Sequence, residues 1–252
     1  EYHTGDLPEE TTESLIAFED QPSLVAGNLM VCSTSRRIIA LDPATGKERW
    51  VFDPQERKVG MRKCRGVASW IDDEAPASAA CQTRILFATT DNRLLAIDAR
   101  DGKPCQGFGD GGEVNIPISK PEVFAGEVVA TSRPAVVNGV VVVGSAVGDN
   151  QRVDAPSGRV SAFDARTGEP RWTFDPVPRD PDDPASKSWE RGSGEGYGAG
   201  NVWAAMAVDQ ALDMVYLPTT SPSGDFYGGG RAGDNLYTSS VVALHGATGK
   251  VA

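Results

Sequence analysis

Apolar residues in this chain come in short runs set off by turn-forming residues. Val136-Val137, then Asn138-Gly139, then Val140-Val141-Val142-Val143 reads as a hairpin, because Asn-Gly accepts the positive φ that a tight two-residue turn demands. Residues 24–32 repeat the form around Gly27-Asn28. Ile85-Leu86-Phe87-Ala88-Thr89-Thr90 and Leu94-Leu95-Ala96-Ile97 do so around Asp91-Asn92, and Met214-Val215-Tyr216-Leu217 predicts another strand. No long window sustains the 3.6-residue period of an amphipathic helix. With 28 Gly and 17 Pro as punctuation, the pattern predicts an all-β chain of many short strands.

One of these strand-turn-strand units recurs. Ile39-Ala40-Leu41-Asp42-Pro43-Ala44-Thr45-Gly46-Lys47-Glu48-Arg49-Trp50 returns as Val160-Ser161-Ala162-Phe163-Asp164-Ala165-Arg166-Thr167-Gly168-Glu169-Pro170-Arg171-Trp172. Weaker copies lie at 95–103 and 242–250. In each copy the Asp is placed to bond nearby backbone amides, the Gly can take positive φ, and a Trp after the Gly can pack on the next unit. The glycines at 46, 102, 168 and 249 are 56, 66 and 81 residues apart, longer than the ~40–50 residues of a four-stranded blade, so insertions must separate some strands. These are the features of a β-propeller of four-stranded antiparallel blades, spanning residues 1–252 as a partial ring. Ala252 falls where the fourth copy's Trp is due, so the remainder of the propeller is expected from further chain or from a partner.

Composition narrows the function. A net charge of −11 argues against binding a nucleic-acid backbone. No apolar run reaches the roughly 18–20 residues of a membrane-spanning helix. His3 and His245 are the only histidines, too few for a His-rich zinc site, and no Gly-x-Ser-x-Gly elbow supports a hydrolase.

Four segments carry a family resemblance: Cys64-Arg65-Gly66-Val67, Thr131-Ser132-Arg133-Pro134, Gly148-Asp149-Asn150 and Asn201-Val202-Trp203-Ala204. In this order, among Asp-x-x-Thr-Gly…Trp repeats and with 212–218 following, they resemble the membrane-bound glucose/quinate/shikimate group of quinoprotein dehydrogenases. Those enzymes are eight-bladed propellers that use pyrroloquinoline quinone (PQQ), so this chain would be about half of one.

The resemblance implies oxidation of a sugar, polyol or cyclitol in the periplasm, with Ca²⁺ or Mg²⁺ beside the quinone. Electrons would pass to ubiquinone through a membrane domain that this chain lacks. Asp149 and Asn150 match the metal-ligand segment, and a hard cation takes such oxygen donors. A third ligand is expected at Ser223, with Ser221 close by, where relatives often carry Asn or Thr. Arg65 matches the arginine that meets a PQQ carboxylate, Thr131 a hydroxyl that bonds another, and Trp203 the indole that supports the ring. Met61 stands where some relatives have histidine. The family's catalytic base belongs to a segment beyond Ala252, so no catalytic residue is assigned and the isolated chain is expected to be inactive. Cys32, Cys64, Cys81 and Cys105 read either as disulfides, with Cys64–Cys81 stapling an insertion, or as four buried thiols. Trp50 and Trp172 are expected to serve blade packing alone. The rival reading is a non-catalytic propeller, like the outer-membrane assembly lipoprotein that shares such repeats.

Overall fold

A computed structural model describes residues 1–4, 20–33, 37–56, 63–148 and 150–252. The first sheet holds β1 (Ser23–Val25), β2 (Asn28–Cys32), β3 (Ile38–Leu41) and β4 (Glu48–Phe52) in sequence order. The second holds β5 (Ala68–Ile71), β6 (Thr83–Ala88), β7 (Arg93–Asp98) and β8 (Glu113–Asn115), again in order. Then follow β9 (Val128–Val129), β10 (Ala135–Val137), β11 (Val140–Val143), β12 (Ala146–Val147), β13 (Val160–Asp164) and β14 (Pro170–Phe174). Strands β10, β11, β13 and β14 make the third four-stranded sheet, while β9 and β12 pair as a separate ribbon. The last sheet joins β15 (Ala207–Asp209), β16 (Met214–Pro218) and β17 (Val241–His245), and a Leu244–Val251 bridge starts its next pairing. All these pairings are antiparallel, as propeller blades require.

The middle strands are apolar on both faces because blades stack face to face. Every residue of β3, β7 and β11 is buried, whereas the outer strand β4 is largely open. One core joins the first and second blades through Met30, Ile38, Ile85, Phe87 and Ile97. A second joins the second and third through Leu86, Leu94, Val141 and Phe163, and a third joins the last two through Val142, Val160, Val215 and Leu244. The Asn138-Gly139 turn forms as expected, with φ of 44° and 79°. The first hairpin turns one residue earlier than expected, at Ala26-Gly27, because Val25 pairs with Asn28. Asn28 is thereby kept in β2, where its amide donates to Ala99 O in the next blade at 3.0 Å.

The repeat chemistry is visible atom by atom. Asp42 Oδ1 accepts from the Ala44 and Thr45 amides at 3.0 and 2.8 Å, and Oδ2 accepts from Arg49 at 2.6 Å. The Arg49 bond, followed by the Thr45 bonds, holds the Asp42 carboxyl down at about 2. Asp164 repeats this with the Arg166 and Thr167 amides and with Arg171. In the fourth copy His245 replaces the Asp, and Asp213 reaches across to accept from the Ala247 amide at 3.0 Å.

The tryptophans dock on the next copy's glycine. A Cβ on Gly102 would lie 2.6 Å from Trp50, and one on Gly249 would lie 2.5 Å from Trp172. Trp172 Nε1 also donates to Gly246 O at 2.7 Å. The second copy has no Trp, and Val114 with Phe108 covers Gly168 in its place.

Two disulfides form, Cys32–Cys64 and Cys81–Cys105. The expected Cys64–Cys81 pairing is therefore wrong, and so is the free-thiol alternative. Cys64 lies against the end of β2 rather than over the insertion, and Cys81 faces the loop after its own repeat.

Candidate functional site

A cavity of about 290 Å³ opens where the links that lead into the second, third and fourth blades meet. Its making starts with a break in one hairpin. Strands β10 and β11 lose their pairing past Ala135–Val142, where Pro134 has no amide to donate and Gly144 bends the partner strand. Ser132 Oγ takes the Gly144 amide across the gap at 3.1 Å, and pairing resumes as Val129–Ala146 and Val128–Val147. The β9–β12 ribbon is thus a continuation of the hairpin beyond its bend. Thr131 stands at the bend, 2% exposed, and Asn150 lies just past the ribbon's end.

Trp203 arrives on a different segment. Residues 198–201 run beside 220–223, with Ser223 N bonding Gly198 O, Gly200 N bonding Ser221 O, and Thr220 N bonding Asn201 O. The segment then lies directly on the third blade, which missing side chains permit. A Cβ on Gly158 would fall 2.3 Å from Asn201 Cα, and one on Gly144 would fall 2.1 Å from Val202 O. Val202 is fully buried, and Trp203 is left 43% exposed at the cavity. Trp189, by contrast, is 4% exposed and plays no part in the cavity.

Arg65 comes from the link between the first two blades. Gly66, at φ +118°, turns the chain tightly against Gln21 and Arg133. Arg133 clamps this link, donating to Val67 O at 2.9 Å and to Ser23 Oγ at 3.0 Å. The Arg65 guanidinium then reaches Thr131 Oγ1 at 2.8 Å and stands 4.7 Å from the Trp203 ring centroid. The three residues expected to bind a cofactor, Arg65, Thr131 and Trp203, are brought together in one contact set.

The electrostatics of the cavity oppose those of the chain. Although the chain carries −11 overall, the cavity is lined by Arg65 and Lys63 and, among the described residues, by no carboxylate. Its floor, Val129, Ala146 and Val147, is apolar. A flat anionic molecule with one aromatic face suits this combination.

The expected metal ligands fare as follows. Asp149 and Met61 lie outside the described residues. Asn150 holds φ +54°, a left-handed conformation that Asn tolerates, and its Oδ1 accepts from the Asp225 amide at 2.9 Å. That bond brings Asn150 to the turn that begins at Ser223. Ser223 is 3% exposed, and its Oγ is buried with no hydrogen-bond partner among the described residues. Ser221, the neighbouring candidate, is bonded by Arg231 at 3.1 Å. A buried oxygen without a donor or acceptor partner fits a hard-cation ligand, and the amide oxygen of Asn150 retains a second lone pair. No cluster of three His, Cys, Asp or Glu side chains capable of holding a metal occurs among the described residues.

Sequence reasoning missed Lys63 as a cavity residue and the covalent tie from Arg65's neighbour Cys64 to β2. It also missed Glu127, 1% exposed, which takes the Val123 amide and the Arg152 guanidinium, both at 2.7 Å, and so braces the loops flanking the ribbon. A buried acid with an arginine 25 residues on carries no local sequence signal.

The family described as "PQQ: Glucose/ethanol/alcohol dehydrogenase, beta-propeller domain" matches residues 1–252. The glycerol dehydrogenase large subunit of Gluconobacter oxydans is 39% identical over 98% of this chain and 33% of its own length. The quinoprotein glucose dehydrogenase of Escherichia coli is 35% identical over 100% of this chain and 32% of its own length. Among solved structures, the quinohemoprotein alcohol dehydrogenase of Comamonas testosteroni superposes with a TM-score of 0.75 at 29% identity, over 95% of this chain and 35% of that one. The chain thus spans about a third of the length of the curated relatives it matches. By this match over its whole length, and by its propeller fold, the chain belongs to the family of PQQ-dependent glucose, ethanol and alcohol dehydrogenases.

Proposed function

We propose that this chain supplies the PQQ-binding part of a dehydrogenase that oxidises a sugar, polyol or cyclitol in the periplasm. The convergence of Arg65, Thr131 and Trp203 on one cation-lined cavity carries the reading. When bound, PQQ supplies a quinone that accepts hydride from the alcohol, and a Ca²⁺ or Mg²⁺ ion would polarise it. Arg65 pairs with one cofactor carboxylate, Thr131 donates a hydroxyl hydrogen bond, and Trp203 covers a face of the ring and excludes water from it. Asp149, Asn150 and Ser223 hold the ion, with the unpartnered Ser223 hydroxyl as the supporting observation. The proton acceptor is not assigned to this chain, and ubiquinone is the proposed electron acceptor of the whole protein. The names of the relatives, glycerol and glucose dehydrogenases, support a polyol or sugar substrate.

The test is titration of the full-length apoprotein with PQQ, with and without Ca²⁺ or Mg²⁺. Metal-dependent binding that Asp149→Ala abolishes and Arg65→Ala weakens is the expected result. Binding unchanged by Asp149→Ala removes the metal assignment. No PQQ binding under any metal condition returns the propeller to a scaffold role.

A further inference from the structure

The Cys32–Cys64 disulfide ends one residue before Arg65. Residues 63–67 belong to no strand, so no ladder of backbone hydrogen bonds fixes this stretch before β5 begins at Ala68. Cys64 and Val67 of this stretch pack in the core between the first two blades, and specific ties flank Arg65. The disulfide joins the stretch to Cys32, the last residue of β2, 1% exposed in the core between the first two blades. Arg133 holds Val67 O on the other side, and Gly66 turns the chain between them. Arg65 must cross from this link to Thr131, 66 residues on, and reach the Trp203 face with a long, rotamer-rich side chain.

We propose that the Cys32–Cys64 disulfide is a positioning element for Arg65, holding its backbone so that the guanidinium meets Thr131, Trp203 and an anionic ligand carboxylate. The inference rests on the reading of the cavity as a PQQ site. The molecule supplies its own control. Cys81–Cys105 is a second disulfide inside the second blade, where the Cys105 amide bonds Ala96 O, and neither cysteine lines the cavity. A general stabilising role belongs to both bonds. Positioning of Arg65 belongs to the first alone.

The experiment compares full-length C32S/C64S and C81S/C105S proteins with wild type. Three quantities are read: the PQQ dissociation constant at saturating Ca²⁺, hydrogen exchange of the 64–67 amides without cofactor, and the midpoint of thermal unfolding. Both variants are expected to unfold at lower temperature. Only C32S/C64S is expected to exchange faster at 64–67 and to bind PQQ about tenfold more weakly, the size of one lost charge-assisted hydrogen bond. Adding Arg65→Ala to C32S/C64S is then expected to cost little more, because both changes remove the same interaction. An unchanged dissociation constant, unchanged exchange at 64–67, or full additivity with Arg65→Ala overturns the proposal. If the serine pair does not fold, C32V/C64A fills the same buried space with apolar atoms and is read in the same way. Wild type that fails to bind PQQ sinks the cofactor reading instead, while the exchange measurement still decides whether the disulfide orders the Arg65 segment.

Discussion

Two tryptophans of this chain should respond to truncation in opposite ways. Trp172 packs its ring on Gly249 and donates Nε1 to Gly246 O at 2.7 Å, so Trp172→Ala removes apolar contact between two blades and orphans a hydrogen bond. Buried Trp→Ala changes cost about 3–5 kcal/mol, and a half-buried ring belongs at the lower end, about 3 kcal/mol. At about 2–4 °C per kcal/mol for a domain of this size, the unfolding midpoint should fall by roughly 6–12 °C. Trp203 is 43% exposed and has one notable partner, the Arg65 guanidinium 4.7 Å from its centroid. An exposed cation–π contact contributes about 0.5–1 kcal/mol, so Trp203→Ala should lower the midpoint by no more than about 4 °C.

The ligand measurement should reverse the order. Stacking of a flat ring on an indole is worth about 1–3 kcal/mol, so Trp203→Ala should weaken PQQ binding roughly 5- to 150-fold. Trp172→Ala should leave the dissociation constant of the folded protein near that of wild type. The assays are thermal unfolding followed by circular dichroism, and equilibrium titration with PQQ well below the midpoint. Equal stability losses in the two variants would refute the division of labour, and so would a Trp203→Ala protein that binds as wild type does.

Two further perturbations test the fold. Gly46→Ala and Gly102→Ala both force a left-handed residue, at φ +70° and +73°, but only Gly102 has an indole 2.6 Å from the added Cβ. Gly46→Ala should cost about 1 kcal/mol and Gly102→Ala about 1–3 kcal/mol more, read as the urea midpoint at constant m-value; equal losses would mean that Trp50 does not dock there. Asp20 is the pH probe: burial lifts its carboxyl from 3.8 to about 6, against the opposing Cys32 and Gln21 amides and Arg133. The folded-state value lies above the unfolded one, so the stability of the protonated form is fully present below 3.8 and lost as pH rises through about 6. Asp20→Asn should therefore be more stable than wild type at pH 7, by about 1 kcal/mol once solvent screening is allowed for, and equal to it near pH 3; a constant difference across that range would rule out titration of Asp20 as the cause.

What the sequence made legible follows the range over which each interaction acts. Asp42 bonds amides two and three residues away, and Asn138-Gly139 needs only its own dihedrals, so both repeat and hairpin could be read directly. The Asp-x-x-Thr-Gly turn fixes where blades lie, and residues of the four family segments line one cavity beside those blades. The resemblance singles out Arg65, Thr131 and Trp203, which meet in the fold although 66 and 72 residues separate them in sequence.

The misreadings have the opposite character. Nothing local distinguishes Cys32 from Cys81 as the partner of Cys64, because the choice depends on which strand end the link passes on its way between blades. The loss of Asp at His245 reads as a decayed repeat until Asp213 is seen reaching in from the neighbouring strand pair. The missing Trp of the second copy reads likewise until Val114 and Phe108 are seen over Gly168. In each case the fold needs a carboxylate at the turn amides or an apolar cover on the glycine, but not from a fixed position in the chain. A repeat can therefore lose its signature residues and keep its geometry. The cavity has less latitude. Its contact set is one guanidinium that meets one hydroxyl and one indole, and a substitute from another strand would have to reproduce both chemistry and direction. That asymmetry explains why the weak repeats still form blades.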